Sequence, residues 1–145
     1  MTAVATIGYE GDTIAIFLKR LKKARIRALI DIRELPLSRK LGFSKNALAH
    51  NVAAVGIEYF SFRELGSPSH LRKKMRKDKD YGYFLREYRK YARTQKAALR
   101  EVLAIVTKKR SALLCFEKSA EHCHRKVAAE ELQKLSRRKL TVKNL

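Results

Sequence analysis

The chain has 145 residues, of which 46% are hydrophobic, and this length and composition predict a single domain with one core. Its 34 lysines and arginines outnumber 14 acidic residues and give a formal net charge of +20, which favours a polyanionic partner such as nucleic acid or a nucleotide. The sequence has neither a secretion signal at its start nor an apolar run of the roughly eighteen residues that a membrane-spanning helix needs. We therefore expect a cytoplasmic protein whose two cysteines are reduced.

The first half of the chain alternates between short apolar runs and amphipathic segments. Residues 4–7 predict a strand, and apolar side chains at helical spacing after Asp12 predict a helix that this residue caps. Residues 28–32 are apolar on both faces, which is typical of a parallel strand between two helix layers. Ser44 is the expected cap of a second helix, and residues 57–60 predict the third strand.

A polar, strongly basic segment follows over residues 61–80 and contains the charge run of residues 72–79. It offers few apolar anchors, so we expect it to form a basic excursion that is mobile without a partner.

The second half of the chain again predicts helices and strands in alternation. Apolar stripes in residues 81–93 and 99–106 predict two helices, either separate or fused. Residues 113–117 predict a buried strand that reaches the edge of a sheet, residues 123–135 the helix after it, and residues 140–145 a short last strand.

This alternation predicts an α/β fold, because parallel neighbouring strands need crossover helices. We expect an open three-layer Rossmann-like sandwich over residues 1–145, with a mostly parallel sheet of about five strands and helices on both faces. The strand order stays open. Ligands of such sheets bind beyond the carboxyl ends of the strands, so the loops after those ends are where a functional site is expected.

Cys115 closes one of these strands, and Cys123-His124-Arg125 opens the next helix. A helix start favours negative charge, so Cys123 could be a nucleophilic thiolate, although many free cysteines are simply buried and apolar. His124 could be a general base or a phosphate donor, or a structural residue. Arg125 is the favoured phosphate receptor, because its planar fork lies beside the free N–H groups of a helix start.

Acidic side chains follow several predicted strands. Glu10 and Glu117 end different strands and could face each other across a pocket as acid and base or nucleophile, or could merely be solvated. Asp31 and Arg33 are two residues apart on one strand and so share a side of the sheet, which predicts an ion pair that orients the arginine.

The motifs of cofactor binding are missing from the sequence. The turn Gly8-Tyr9-Glu10-Gly11 lacks the Gly-x-Gly-x-x-Gly pattern, and no Walker sequence occurs, so we expect no cofactor. The two cysteines, Glu117 and His124 are chemically able to bind zinc, but they lack the short paired spacing of compact zinc modules. We therefore assign no metal, and thiol or metal chemistry at Cys115 and Cys123 stays an alternative.

Several short motifs in order resemble the bacterial and archaeal family catalogued as domain of unknown function 488. They are Thr6-Ile7-Gly8-Tyr9-Glu10-Gly11, Leu29-Ile30-Asp31-Ile32-Arg33, Ser38-Arg39-Lys40-Leu41-Gly42-Phe43-Ser44, Leu65-Gly66, and Leu114-Cys115-Phe116-Glu117 through Cys123-His124-Arg125. The resemblance implies an α/β domain with a pocket built from these motifs, and no particular reaction. The candidates that it implies are Tyr9, Glu10, Asp31, Arg33, Ser38, Arg39, Cys115, Glu117, Cys123, His124 and Arg125. Glu34 departs from the pattern, since a small or polar residue is expected after Arg33.

These observations favour an enzyme that acts on nucleic acid or a nucleotide by hydrolysis or group transfer. The arginines of the candidate set, Arg33, Arg39 and Arg125, would hold phosphate. The other substrate-binding candidates are Tyr9, Asp31, Ser38 and Cys115. The catalytic candidates are Glu10, Glu117, Cys123 and His124. The rival interpretation is a nucleic-acid-binding module in which the same residues are structural, and the sequence alone does not decide between the two.

Overall fold

The computed structural model describes residues 2–145 and contains five strands and six helices. The strands are β1 (Thr2–Gly8), β2 (Ala28–Asp31), β3 (Glu58–Ser61), β4 (Ser111–Cys115) and β5 (Leu140–Asn144). The helices are α1 (Ile14–Lys23), α2 (Lys45–Ala53), α3 (Ser69–Asp78), α4 (Tyr81–Arg93), α5 (Lys96–Lys108) and α6 (His124–Leu135). Two 3₁₀ turns, Arg63–Leu65 and Ala120–His122, lie between them.

All five strands are parallel and lie in the order β3-β2-β4-β1-β5. Strand β4 enters between β1 and β2, so three strands that are distant in the sequence end side by side. Gly8 is the register partner of Cys115, and Asp31 that of Leu114. The predicted α/β architecture with a parallel five-stranded sheet is confirmed.

Two apolar clusters, one on each face of the sheet, form the core. Successive strand residues point to opposite faces, so Val4 and Ile30 belong to the cluster under α3 to α6, whereas Ala5 and Leu29 belong to the cluster under α1 and α2. Helices therefore cover both faces, as expected. This double cover explains why the strands are apolar throughout instead of alternating.

The basic segment of residues 61–80 is largely helical, because α3 occupies Ser69–Asp78. Leu71 anchors it in the core, and Lys74 pairs with Asp78 one turn later. Asp80 then caps α4 by accepting a hydrogen bond from the Tyr83 N–H at 3.0 Å. This helix was not predicted, because residues 69–78 contain too few apolar positions to show a helical stripe. Its mobility without a partner stays a prediction.

Local details at two helix starts differ from the expectations. Thr13, not Asp12, caps α1, while Asp12 forms an ion pair with Arg20. Ser44 stands at the start of α2, but its hydroxyl bonds the backbone of Ser38 and so fastens the loop before the helix. Thr94 and Gln95 separate α4 from α5, which are two helices and not one.

Across residues 2–145, every helix is too short or too polar to cross a membrane.

Candidate active site

The ends of β1 and β4 are fastened together beyond the sheet. The Glu10 N–H donates to the Phe116 carbonyl at 2.9 Å, and Glu10 Oε1 accepts from the Lys118 N–H at 3.0 Å. The loop that carries Glu117 therefore runs beside the one that carries Glu10. The strand order brings these two acidic residues together, although they lie more than one hundred residues apart in the sequence.

Asp31 and Arg33 form the predicted ion pair, and it is buried. The carboxylate of Asp31, which is fully buried, accepts bonds from Arg33 Nε at 2.9 Å and Nη2 at 2.7 Å. The Tyr59 hydroxyl donates to the same carboxylate at 2.5 Å. Arg33 Nη1 donates to the Tyr9 hydroxyl and to the Phe43 carbonyl. Burial lowers the pKa of Arg33, but the hydrogen bonds and charge of Asp31 outweigh it and hold the pKa above its ordinary value.

These contacts use four of the five N–H groups of Arg33, and its side chain is 6% exposed. A direct phosphate contact, as predicted from the sequence, does not fit this placement. In this structure Arg33 is a clamp that joins β2 to the loop of residues 33–43.

The loop of residues 33–43 covers Tyr9. The ring of Tyr9 is buried and stacks on Phe43 with centroids 4.5 Å apart. Lys40 Nζ lies over both rings and donates to the Tyr9 carbonyl at 3.0 Å. The Ser38 hydroxyl accepts from the Lys40 N–H, so it shapes the loop, whereas the neighbouring Arg39 is exposed. Arg39 is therefore accessible to a ligand, as expected from the sequence, whereas Ser38 and Lys40 are partly buried.

Arg125 is fully buried, and its guanidinium holds the loop after β4. Its Nη1 donates to Cys115 Sγ at 3.0 Å and to the Glu117 carbonyl, and Nη2 donates to the Lys118 carbonyl at 3.0 Å. Among the described residues, its Nε has no hydrogen-bond partner. Burial lowers the pKa of Arg125 to about 10, against the opposing charge of Glu117. The predicted phosphate receptor is thus occupied by protein carbonyls and positions Glu117.

Gly8 is required at this point for its lack of a side chain. A Cβ atom there would lie 1.7 Å from the Glu117 carbonyl oxygen and 2.8 Å from Arg125 Nη1. Both atoms are held in place by the arginine contacts, so no larger residue fits without moving the loop.

The expectation of two reduced thiols is wrong for this structure. Cys115 and Cys123 are joined as a disulfide, and both are buried. The 3₁₀ turn Ala120–His122 folds the chain back, so that the end of β4 and the start of α6 are adjacent. Cys123 is therefore not available as a nucleophile here. Cys115, Cys123 and His124 lie close enough together to bind one metal ion. The two cysteines could act as thiolate ligands only after the disulfide is reduced.

His124 packs in the interior between α6, β2 and α4. Its Nε2 lies 2.7 Å from the Ile32 carbonyl, which makes Nε2 the protonated nitrogen, and its ring lies edge-on to Tyr88. Burial lowers the pKa of His124 to about 4. The residue is neutral near pH 7 and holds α6 against the end of β2, so the predicted contact with substrate is not supported by its position.

Glu117 and Glu10 are the two acidic catalytic candidates, and both are accessible at this edge. Glu117 is half-buried, and Glu10 is exposed. Burial raises the pKa of Glu117, and the nearby charge of Glu10 raises it further, while Arg125 opposes the shift. Two carboxylates with different environments can serve as a proton donor and a proton acceptor in one reaction.

Two residues near this acid pair were not among the candidates predicted from the sequence. Phe116 is 46% exposed between Glu117 and the buried Tyr9, whose ring it meets edge-on at 5.3 Å. Arg72 of α3 forms an ion pair with Glu34 at 2.9 Å and contributes positive charge near Glu117. The aromatic residue directly after a strand end was a usable signal for Phe116. Nothing local could have shown that α3 brings Arg72 there.

A cavity of about 340 Å³ opens beside this edge between the 33–43 loop and the start of α2. Its lining includes Leu35, Leu37 and Arg63, and the acid pair is not part of it among the residues described. We place the site at the acid pair, because the chemistry of the cavity lining offers no proton donor and acceptor pair.

The parallel sheet and the strand-end site together define a Rossmann-like α/β protein. The chain belongs to the family described as Domain of unknown function DUF488, whose model matches residues 13–132. The matched segment includes Arg33, Glu117 and Arg125 but begins after Glu10. Searches among curated proteins and among solved structures gave no match.

Proposed function

We propose that this protein is an enzyme that hydrolyses, or transfers a group from, a nucleotide or nucleic acid, with Glu117 and Glu10 as its acid–base pair. The observation that carries the proposal is that the two carboxylates share one sheet edge through the hydrogen bonds of Glu10 to Phe116 and Lys118. Arg125 holds the Glu117 carbonyl from the protein interior, and Gly8 leaves the space that this carbonyl occupies.

Each carboxylate has a role that follows from its surroundings. Glu117 serves as the proton donor to the leaving group, because burial raises its pKa and so favours the form that carries a proton. Glu10, which is exposed, takes a proton from the attacking water or acceptor hydroxyl, so that water or the acceptor adds across the cleaved bond and no external oxidant or reductant is needed.

The substrate class rests on charge and on the exposed aromatic ring. The net charge of +20 attracts phosphate, and it includes the exposed Lys118, whose backbone N–H contacts Glu10, and the exposed Arg39 of the 33–43 loop. The ring of Phe116 offers a face on which a base can stack. Such substrates occur in the cytoplasm, which we propose as the location of the protein.

The alternative is a nucleic-acid-binding module without catalysis. One observation favours it: Arg33 and Arg125 are both buried and bonded to protein groups, so the residues expected to hold phosphate are structural.

The test is a product screen with a matched control. The protein is incubated with nucleoside mono-, di- and triphosphates and with labelled DNA and RNA oligonucleotides, and products are separated by chromatography and mass spectrometry. Where a product forms, Glu117→Gln and Glu10→Gln should each lower kcat by about 100-fold or more. Glu101→Gln, an exposed position on α5, should leave it unchanged. Absence of product from every substrate, or full activity of Glu117→Gln, would overturn the proposal.

A further inference from the structure

The edge of the sheet opposite the acid pair is where the loops that enter the strands meet. The helix that directly precedes each of these strands ends there: α1 before β2, α2 before β3, α5 before β4 and α6 before β5. The Arg27 N–H donates to the Arg110 carbonyl at 2.7 Å, and the Glu58 N–H donates to the Arg27 carbonyl at 2.9 Å. Near β5, at the far end of the strand order, the Thr2 N–H donates to the Lys139 carbonyl at 3.3 Å. The loops before β2, β3 and β4 are thus bonded to one another, and the loop before β5 is bonded to the start of β1, which separates it from them at the same edge.

We call the exposed basic residues of this edge the amino-edge surface. They are Lys22, Lys23, Arg25, Arg27, Lys108, Lys109, Arg110, Lys134, Arg137, Arg138 and Lys139. Two of them have acidic partners, since Lys109 pairs with Glu58 and Lys134 with Glu131 at 3.2 Å. Within residues 2–145 the other nine have no ion-pair partner. A cavity of about 330 Å³ opens between the loops before β2, β3 and β4.

Three arginines of this surface adopt a backbone conformation that glycine would adopt more easily. Arg25, Arg137 and Arg138 have φ values of 58°, 56° and 65°. They follow the ends of α1 and α6, the position where helices usually carry glycine or asparagine. A side chain in this left-handed region costs free energy. Lys79 adopts the same conformation after α3, with a φ of 58°, so the conformation is a general feature of helix ends in this chain. At the ends of α1 and α6 it adds three exposed guanidinium groups to the amino-edge surface.

Helix dipoles also favour positive charge at helix ends. That effect falls off within the last turn of a helix, where Lys22, Lys23 and Lys134 lie. It does not extend to Arg27 and Arg110, which directly precede strands β2 and β4.

We propose that the amino-edge surface binds the phosphate backbone of nucleic acid. Neighbouring strands lie about 4.8 Å apart, so the five strands span about 19 Å. At a rise of about 3.4 Å per nucleotide, that length faces five or six phosphates of one strand. The surface lies on the opposite edge from Glu10 and Glu117, so this binding goes beyond the proposed reaction and does not depend on it.

The test uses a triple variant that removes charge without adding backbone strain. Arg25→Gly, Arg137→Gly and Arg138→Gly are combined, and the affinity for a fluorescent 20-base-pair DNA duplex is measured from 50 to 300 mM salt. The wild type should bind with a steep salt dependence. The variant should bind at least tenfold more weakly at 100 mM salt, and its slope of log K against log salt should be shallower by about 2 to 3. Its unfolding midpoint in urea should not fall, because glycine suits the positive φ values.

A second variant with asparagine at the same three positions repeats the measurement in case the glycines loosen the helix ends, since asparagine also accepts the left-handed region. The matched control is Lys73→Gln, Arg76→Gln and Lys77→Gln on α3, which removes the same charge from another exposed surface. The affinity of this control variant for the duplex should stay within about threefold of the wild-type affinity.

Three outcomes would overturn the proposal. They are no duplex binding by the wild type at 50 mM salt, an equal loss in the α3 control, and binding to phosphatidylserine vesicles without binding to the duplex. Failure of the acid pair as a catalyst is recognised separately, because the wild type would then form no product, or Glu10→Gln and Glu117→Gln would keep full activity, while duplex binding by the amino-edge surface would be unchanged.

Discussion

The buried pair of Asp31 and Arg33 makes a quantitative prediction about stability. Asp31→Asn leaves the guanidinium of Arg33 buried without a charged partner, although the side chain keeps its shape. Removing one member of such a pair costs about 3 to 5 kcal/mol of unfolding free energy. That is a large part of the 5 to 15 kcal/mol by which native domains are usually stable.

A double-mutant cycle isolates the interaction itself. Arg33→Met should also be strongly destabilising, because the carboxylate of Asp31 then keeps only Tyr59 and a backbone N–H as donors. In the double variant neither charge remains. We therefore expect the double variant to lose less unfolding free energy than the two single variants together, by about 2 kcal/mol or more.

The assay is urea unfolding followed by circular dichroism at 15 °C, with every variant at the same pH and salt. Asp78→Asn, which breaks the exposed pair of α3, is the control and should not change the unfolding midpoint. Single losses that add within about 0.5 kcal/mol in the double variant would refute the clamp that we assign to Arg33.

Three further predictions concern the surroundings of Glu117. Gly8→Ala should cost about 2 kcal/mol or more in urea unfolding, because its methyl group collides with the Glu117 carbonyl; an unchanged midpoint would contradict the close contact. Stability should fall by about 3 kcal/mol as the pH drops from 6.5 to 4, because unfolded His124 takes up a proton that the native residue, with its pKa of about 4, does not; a His124→Gln variant should lack this component. Iodoacetamide should label neither cysteine of the denatured, unreduced protein, and labelling of both would contradict the Cys115–Cys123 disulfide.

The fold was predictable because it rests on local patterns. Apolar runs of four or five residues between amphipathic segments identify the strands. Their apolar character on both faces indicates a sheet with helices packed on each face. The Asp31–Arg33 pair was predictable for a similar reason, since residues two apart on a strand share a side. Helix α3 was missed because Leu71 is its one buried apolar anchor.

The site was only partly predictable, because its character depends on how distant segments meet. The sequence identifies Arg125 as a strong donor but does not show that the loop after β4 supplies it with carbonyl groups. The disulfide depends on the turn that brings Cys123 back to Cys115. The amino-edge surface is assembled from three loops that become neighbours only through the strand order.

The central claim is that this protein turns over a nucleotide or nucleic acid at the acid pair. The most direct measurement compares the wild type with a Glu10→Gln and Glu117→Gln double variant, recording duplex affinity and product formation on the same samples. We predict that the double variant binds the duplex as tightly as the wild type, or more tightly because two negative charges are gone, and forms no product. Product formation at the wild-type rate by the double variant would contradict the account.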